Sequence, residues 1–391
     1  MRGWHTLAVA ALVVVAAGCG QDNDSGEPPA ELVSFSERLE VRRIWSTRVG
    51  RSTERLRLGL SPSTDGDRVF AASHGGDVAA FDLQSGRRSW SSQTNLPLSA
   101  GPAYGAGIVA LGTTDGELIA LEAQSGAELW RRAVGAEVLA PPAIGGEVVT
   151  LRTVDGRLRG YSSLDGRDLW TVVQSVPALT LRGNTAPYVS GTSVVTGFDN
   201  GRLGAYELAT GDVLWEFPVA APSGRTELER LVDISAGLQV AGNDVFAVGY
   251  HGRAIGVALE NGVVLWQQEL SSYAGLGVDL NSVYVTDEFS EVVALERDTG
   301  TPIWRQNALR LRDVTAPSAH GNVIVVGDFE GFLHWIDPRD GSFLARERAA
   351  SNRITSAPLV VGQTMIVQSE GGTVAAYAVE LEEFASIDDP S

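Results

Sequence analysis

One thiol, five imidazoles and 48 carboxylates are the groups of this chain able to act as nucleophile, general base or metal ligand. The thiol is Cys19, which follows the small residues Ala16, Ala17 and Gly18. His5, His74, His251, His320 and His334 show no short ligand spacing of the kind a zinc site needs. Many carboxylates, among them Asp65, Asp115, Asp155 and Asp165, stand beside glycine in turns, where an Asx side chain bonds its own backbone. There is no glycine-rich phosphate loop, no nucleophile elbow and no Cys/His pair. The residues therefore predict no catalytic centre, no cofactor and no metal, and a chemistry confined to Cys19.

The context of Cys19 is an export signal: Arg2 supplies the charge, residues 7–15 the apolar run, and residues 16–18 a small-residue cleavage site. That run is too short to prefer spanning a bilayer. A single cysteine allows no internal disulfide. The Ala-Ala-Gly-Cys sequence resembles the processing site of bacterial lipoproteins. The resemblance implies a signal peptide over residues 1–18 and a lipid on Cys19, with Gly20 directing the product to the outer membrane. The next residues, GQDNDSGEPPAE, are polar and acidic, so residues 19–40 are expected to form a lipid-anchored flexible tether. All 30 basic residues are arginine and the formal charge is −18, an anionic balance that argues against nucleic acid as a partner.

What positions everything else is a repeated phrase. GGDVAAFDLQSGRRSW ends at Trp90, DGELIALEAQSGAELW at Trp130, DGRLRGYSSLDGRDLW at Trp170, NGRLGAYELATGDVLW at Trp215, HGRAIGVALENGVVLW at Trp266 and SEVVALERDTGTPIW at Trp304. EGFLHWIDPRDGSFLA puts Ala345 in the tryptophan position, and GGTVAAYAVE stops before reaching it. Starting from Trp45, the intervals are 45, 40, 40, 45, 51, 38 and 41 residues. Units of this length, made of short β-rich runs divided by Asp-Gly, Asn-Gly and Ser-Gly turns, predict four-stranded propeller blades. In the second unit the strands are expected at 98–104, 107–112, 117–121 and 128–133.

The fold class is accordingly all-β: an eight-bladed β-propeller of four-stranded antiparallel blades over residues 41–380, followed by a C-terminal tail over 381–391. The last blade lacks an outer strand, and RRIWSTRV around Trp45 is a strand with no unit before it. The ring is expected to close by pairing the two, which leaves no open edge between first and last blades. Trp45, Trp90, Trp130, Trp170, Trp215, Trp266 and Trp304 recur four residues after a turn glycine or its counterpart, so they are expected to dock blade on blade rather than to bind a ligand.

Function is sought where the repeat is interrupted. Two long intervals, those after Trp170 and Trp215, are consecutive, and each places its extra residues between the outer strand of one blade and the inner strand of the next. TVVQSVPALTLRGN follows Trp170 and exposes Leu179, Leu181 and Arg182; PVAAPSGRTELERLVDIS follows Trp215 and offers Arg225, Glu227, Glu229, Arg230 and Asp233. Apolar residues ringed by charge in adjacent loops suit a protein-docking patch.

VPALTLRGNTAP, DNGRLGAYELATGDVLW, SGRTELERLVDIS and GDFEGFLHWIDPRDG are similar to segments of the BamB family, the lipoprotein subunits of the outer-membrane β-barrel assembly machinery. The resemblance implies a non-catalytic scaffold on the periplasmic face of the outer membrane. It implies that Leu179, Leu181 and Arg182 on the first loop and Asp233 on the second contact the POTRA domains of BamA. Ser235 stands where that family often has a second acid. Capture of unfolded outer-membrane proteins along a strand edge is compatible with the same fold and leaves little side-chain trace. The blade phrase also resembles that of quinoprotein dehydrogenases, which hold pyrroloquinoline quinone and Ca²⁺ in an eight-bladed ring. A vicinal disulfide of the kind used by the alcohol-oxidising members cannot form with one cysteine.

Overall fold

The computed structural model describes residues 27–50, 58–181, 185–220, 233–234 and 237–379. Among these there are eight antiparallel sheets, numbered as blades in chain order: blade 1 over 63–93, blade 2 over 98–133, blade 3 over 143–173, blade 4 over 188–218, blade 5 over 239–269, blade 6 over 275–306, blade 7 over 318–348, and blade 8 over 359–379 with 41–48. Blade 2 has strands Leu98–Gly105, Ile108–Thr113, Glu117–Glu122 and Glu128–Ala133, and a short fifth strand, Gly59–Leu60, lies parallel on its inner edge. Blade 8 takes Leu359–Val361, Thr364–Gln368 and Thr373–Val379 from the C-terminal end and Val41–Arg48 from the N-terminal end, with Trp45 opposite Ala376. The ring is therefore closed by the N-terminal strand, as the sequence predicts.

The core is divided by the topology. The second and third strands of the blades are largely apolar and buried on both faces, so their side chains pack against the preceding and the following blade. Eight buried clusters result, each at the junction of two neighbouring blades.

Each tryptophan crosses one such junction. The Trp130 indole N–H donates to the Ser163 carbonyl of blade 3 at 2.9 Å, and its ring lies on Gly166 in the turn between the third and fourth strands. Trp45 does the same to Leu83 and Gly86, Trp90 to Ala123 and Gly126, and Trp170 to Leu208 and Gly211. Trp215 meets Leu259 and Gly262, Trp266 meets Arg297 and Gly300, and Trp304 meets Pro338 and Gly341. Gly166 has φ +69°, and a Cβ there would fall 2.5 Å from the Trp130 ring. The turn thus needs glycine both for its backbone and for the space above it.

Ala345 is explained by the closure. Its tryptophan would have to dock on the turn before the fourth strand of blade 8, but that strand comes from the other end of the chain and no such turn connects it. The large residue moves across the ladder instead. In the other blades a small residue faces the tryptophan, as Ala120 faces Trp130 and Gly160 faces Trp170, whereas in blade 7 Trp335 faces Ala345. Trp335 is fully buried and packs edge-on against Tyr377 of blade 8 at 6.0 Å.

The expected tether is corrected over part of its length. Residues 27–40 lie along blade 7 as an extended strap. Glu27 pairs with Arg310 at 3.1 Å, Ala30 exchanges bonds with the Arg310 carbonyl and the Arg312 guanidinium, and the Arg38 amide donates to Leu344 at 2.8 Å. Leu32 and Phe35 pack onto the junction of blades 6 and 7, and Leu39 onto that of blades 7 and 8. Overall polarity hid these three apolar residues, whose burial offsets the ordering of the segment. Cys19 and the tail 381–391 lie outside the described residues.

Truncation of Trp130 to alanine should cost about 3–5 kcal/mol in denaturant unfolding. Gly166→Ala should destabilise the same junction, and the double variant should cost less than the sum because both changes remove one contact. Additive losses would show that the indole and the glycine act separately.

A candidate partner-docking site

The two long connections emerge next to each other, on either side of blade 4, whose strands are Tyr188–Ser190, Ser193–Gly197, Arg202–Glu207 and Val213–Pro218. The first leaves the outer strand of blade 3, Asp168–Val173. Its base is held by a polar chain: Gln174 bonds Glu216, Asn200 donates to Gln174 at 3.2 Å, and Tyr206 donates to Glu216 at 2.8 Å. Burial first, and then the Glu216 carboxylate, push the Tyr206 hydroxyl upward, so it stays a donor.

Beyond that base the loop turns its apolar side chains outward. Leu179 and Leu181 are 42% and 37% exposed. Val173 at the end of the strand and Val176 in the loop, which the sequence did not single out, are exposed as well. Their only signal was apolar character persisting past the end of a strand. Arg182 lies outside the described residues, as do Arg225, Glu227, Glu229, Arg230 and Ser235 of the second loop.

Asp233 is a correction. Expected as a surface contact on the second loop, it is fully buried, because the chain has already turned back into the ring at that point. Its backbone forms a bridge with Tyr250, whose amide donates to the Asp233 carbonyl at 2.7 Å. Ile234 beside it is also fully buried, and accepts a bond from Thr185 at the end of the first loop. The roots of the two loops are thereby joined.

The Asp233 carboxyl enters a buried cluster drawn from successive blades. Arg152, on strand Val148–Thr153 of blade 3, is ion-paired with Asp199 of blade 4 and lies over the Phe198 ring at 5.7 Å. One guanidinium thus faces two acids. Burial first, and then the Asp199 charge, push the Asp233 carboxyl up to about 7, against the opposing pull of Arg152 and of the Leu181 backbone amide. Among the described residues, neither Asp233 oxygen completes a hydrogen bond of ordinary geometry, nor do Nε and Nη1 of Arg152. Asp233 is therefore an interior group at the roots of the two loops and not an exposed one.

A carboxyl whose pKa is raised in the folded state favours folding at low pH, and that contribution is lost as pH rises through about 7. Asp233→Asn should therefore gain stability relative to the parent between pH 5 and pH 8, by about 1 kcal/mol or more. An equal offset at both pH values, read by thermal unfolding, would show that Asp233 ionises as an ordinary acid.

Comparison with known proteins places this ring and its loops in a family. The family model described as outer membrane protein assembly factor BamB matches residues 10–97, 75–306 and 288–381. The BamB of Pseudomonas aeruginosa is 45% identical over 379 residues, covering 97% of this chain and all of that protein. The crystal structure of BamB from Moraxella catarrhalis superposes with a TM-score of 0.80 at 26% identity, covering 87% of this chain and all of that one. Quinohemoprotein alcohol dehydrogenase from Comamonas testosteroni gives a TM-score of 0.67 at 12% identity, over 86% of this chain and 76% of that one, a likeness of fold alone. With the family model covering nearly the whole chain and a full-length relative at that identity, the chain belongs to the BamB family of outer membrane protein assembly factors.

Proposed function

We propose that this protein is a non-catalytic scaffold of outer membrane protein assembly, held by a lipid on Cys19 at the periplasmic face of the outer membrane and docked on the POTRA domains of BamA. The names of its relatives support the assembly role. The observation that carries the docking assignment is the loop after blade 3, whose Val176, Leu179 and Leu181 stand exposed on a base tied into blade 4. Apolar side chains held outward on a rigid root suit a protein partner, because little further ordering is needed on binding.

In this reading Leu179 and Leu181 are the apolar anchors, and Arg182, next in the chain on the first loop, supplies the charged contact. Asp233 acts one step back, by holding the roots of the loops together.

Two measurements test the proposal. Leu179→Asp, Leu181→Asp and Arg182→Glu should each weaken capture of BamA POTRA domains by about tenfold or more while melting like the parent; undiminished capture by all three would remove the assigned interface. Pyrroloquinoline quinone with Ca²⁺ should produce neither dye reduction nor a rise in Tm, and either response would favour an enzyme.

A further inference from the structure

Successive strands of a blade run in opposite directions, so the turns between second and third strands lie on the face from which the two long connections emerge. In blades 1 to 4 these turns place glycine at positive φ, at Gly76, Gly116, Gly156 and Gly201. Blades 5 and 6 break that rule. His251 takes φ +49° although Gly252 follows it, and Ser290, after Phe289, takes φ +65°. A ring-bearing residue in the left-handed region is strained, and such strain collects where a surface is kept for use.

What these two turns display is aromatic. The rings of Tyr250 and exposed His251 stack at 4.0 Å, with Tyr273 of the connection to blade 6 at 6.4 Å from Tyr250, and Phe289 is 42% exposed. Hydrogen bonds join the two turns into one surface: the His251 amide donates to the Ser271 hydroxyl at 3.0 Å, which donates to Glu288 at 3.1 Å. Asp287 and Glu291, on either side, both accept from Arg305. Glu288 differs from them in that, among the described residues, no cation pairs with it. Burial first, and then the Glu288 charge, hold the Tyr250 hydroxyl above its ordinary range, which places that carboxylate near the stacked pair. The Phe289 ring already carries one guanidinium, that of Arg310, at 4.5 Å.

We infer that Tyr250, His251, Tyr273, Phe289 and Glu288 extend the docking site across blades 5 and 6 and receive arginine or lysine side chains of the POTRA domain that docks on the two loops. The inference rests on the docking reading proposed above and adds a second, cation-binding part to it. The two parts are continuous, because Asp233 at the root of the second loop is bridged to Tyr250. Aromatic faces beside an unpaired carboxylate suit a cation on an apolar stem, which gains from the ring quadrupole and from a charged hydrogen bond together. The formal charge of −18 draws the same kind of partner from a distance.

The test is calorimetric titration of the full chain with BamA POTRA domains at low and high salt, with thermal unfolding of each variant. His251→Gly should melt at or above the parent temperature, since glycine accepts the positive φ, and yet bind more weakly. Combined with Glu288→Gln and Phe289→Ala it should weaken binding by about tenfold or more and flatten the salt dependence. Leu164→Ala, at an exposed position in a turn on the opposite face, should change binding less than about twofold. Parent-like binding by the triple variant, while Leu179→Asp still binds weakly, would overturn the inference and leave the loop interface standing. An unchanged salt dependence, or weaker binding matched by a fall in Tm of His251→Gly, would also overturn it. A parent chain that does not bind POTRA domains would remove the docking reading and the inference together.

Discussion

The ring depends on one contact made repeatedly, an indole laid across the turn glycine of the next blade with its N–H on the carbonyl three residues earlier. Each blade alone is a small twisted sheet with two apolar faces and would expose both. The indole fixes the angle at which neighbours meet, because it binds through a directed hydrogen bond as well as through area. With every junction set in that way, the first and last blades arrive where a shared sheet can form, and no single core needs to hold the circle.

Much of this is legible in sequence because a repeat reports its own period. The strands of blade 2 and the borrowing of the strand around Trp45 follow from the spacing of turn glycines and tryptophans. Why Ala345 replaces a tryptophan is not legible locally. The reason lies in a turn missing from a different blade, and the compensation, Trp335 across the ladder, looks in sequence like an ordinary strand aromatic.

The candidate site was legible in its location and less so in its parts. Interruptions of the period point to the loops after Trp170 and Trp215, but an acid near a loop end looks the same whether it faces solvent or the ring. Asp233 is buried because Arg152 and Asp199, far away in the chain, are brought beneath it. Similarly, polar composition concealed that Leu32, Phe35 and Leu39 hold the strap on blade 7. In both cases the deciding partner comes from a distant part of the chain, which local pattern does not encode.

Closure by the first strand has a consequence in time. Val41–Arg48 leaves the ribosome long before its partner Thr373–Val379. The bond from Arg43 to the Tyr377 hydroxyl spans 334 residues, so the pairing that finishes the ring has the greatest loop to close. Until then an edge strand waits unpaired at the head of the chain while the blades assemble behind it. Folding of this protein is thus gated by its own completion: a chain stopped before blade 8 has nowhere to put its beginning.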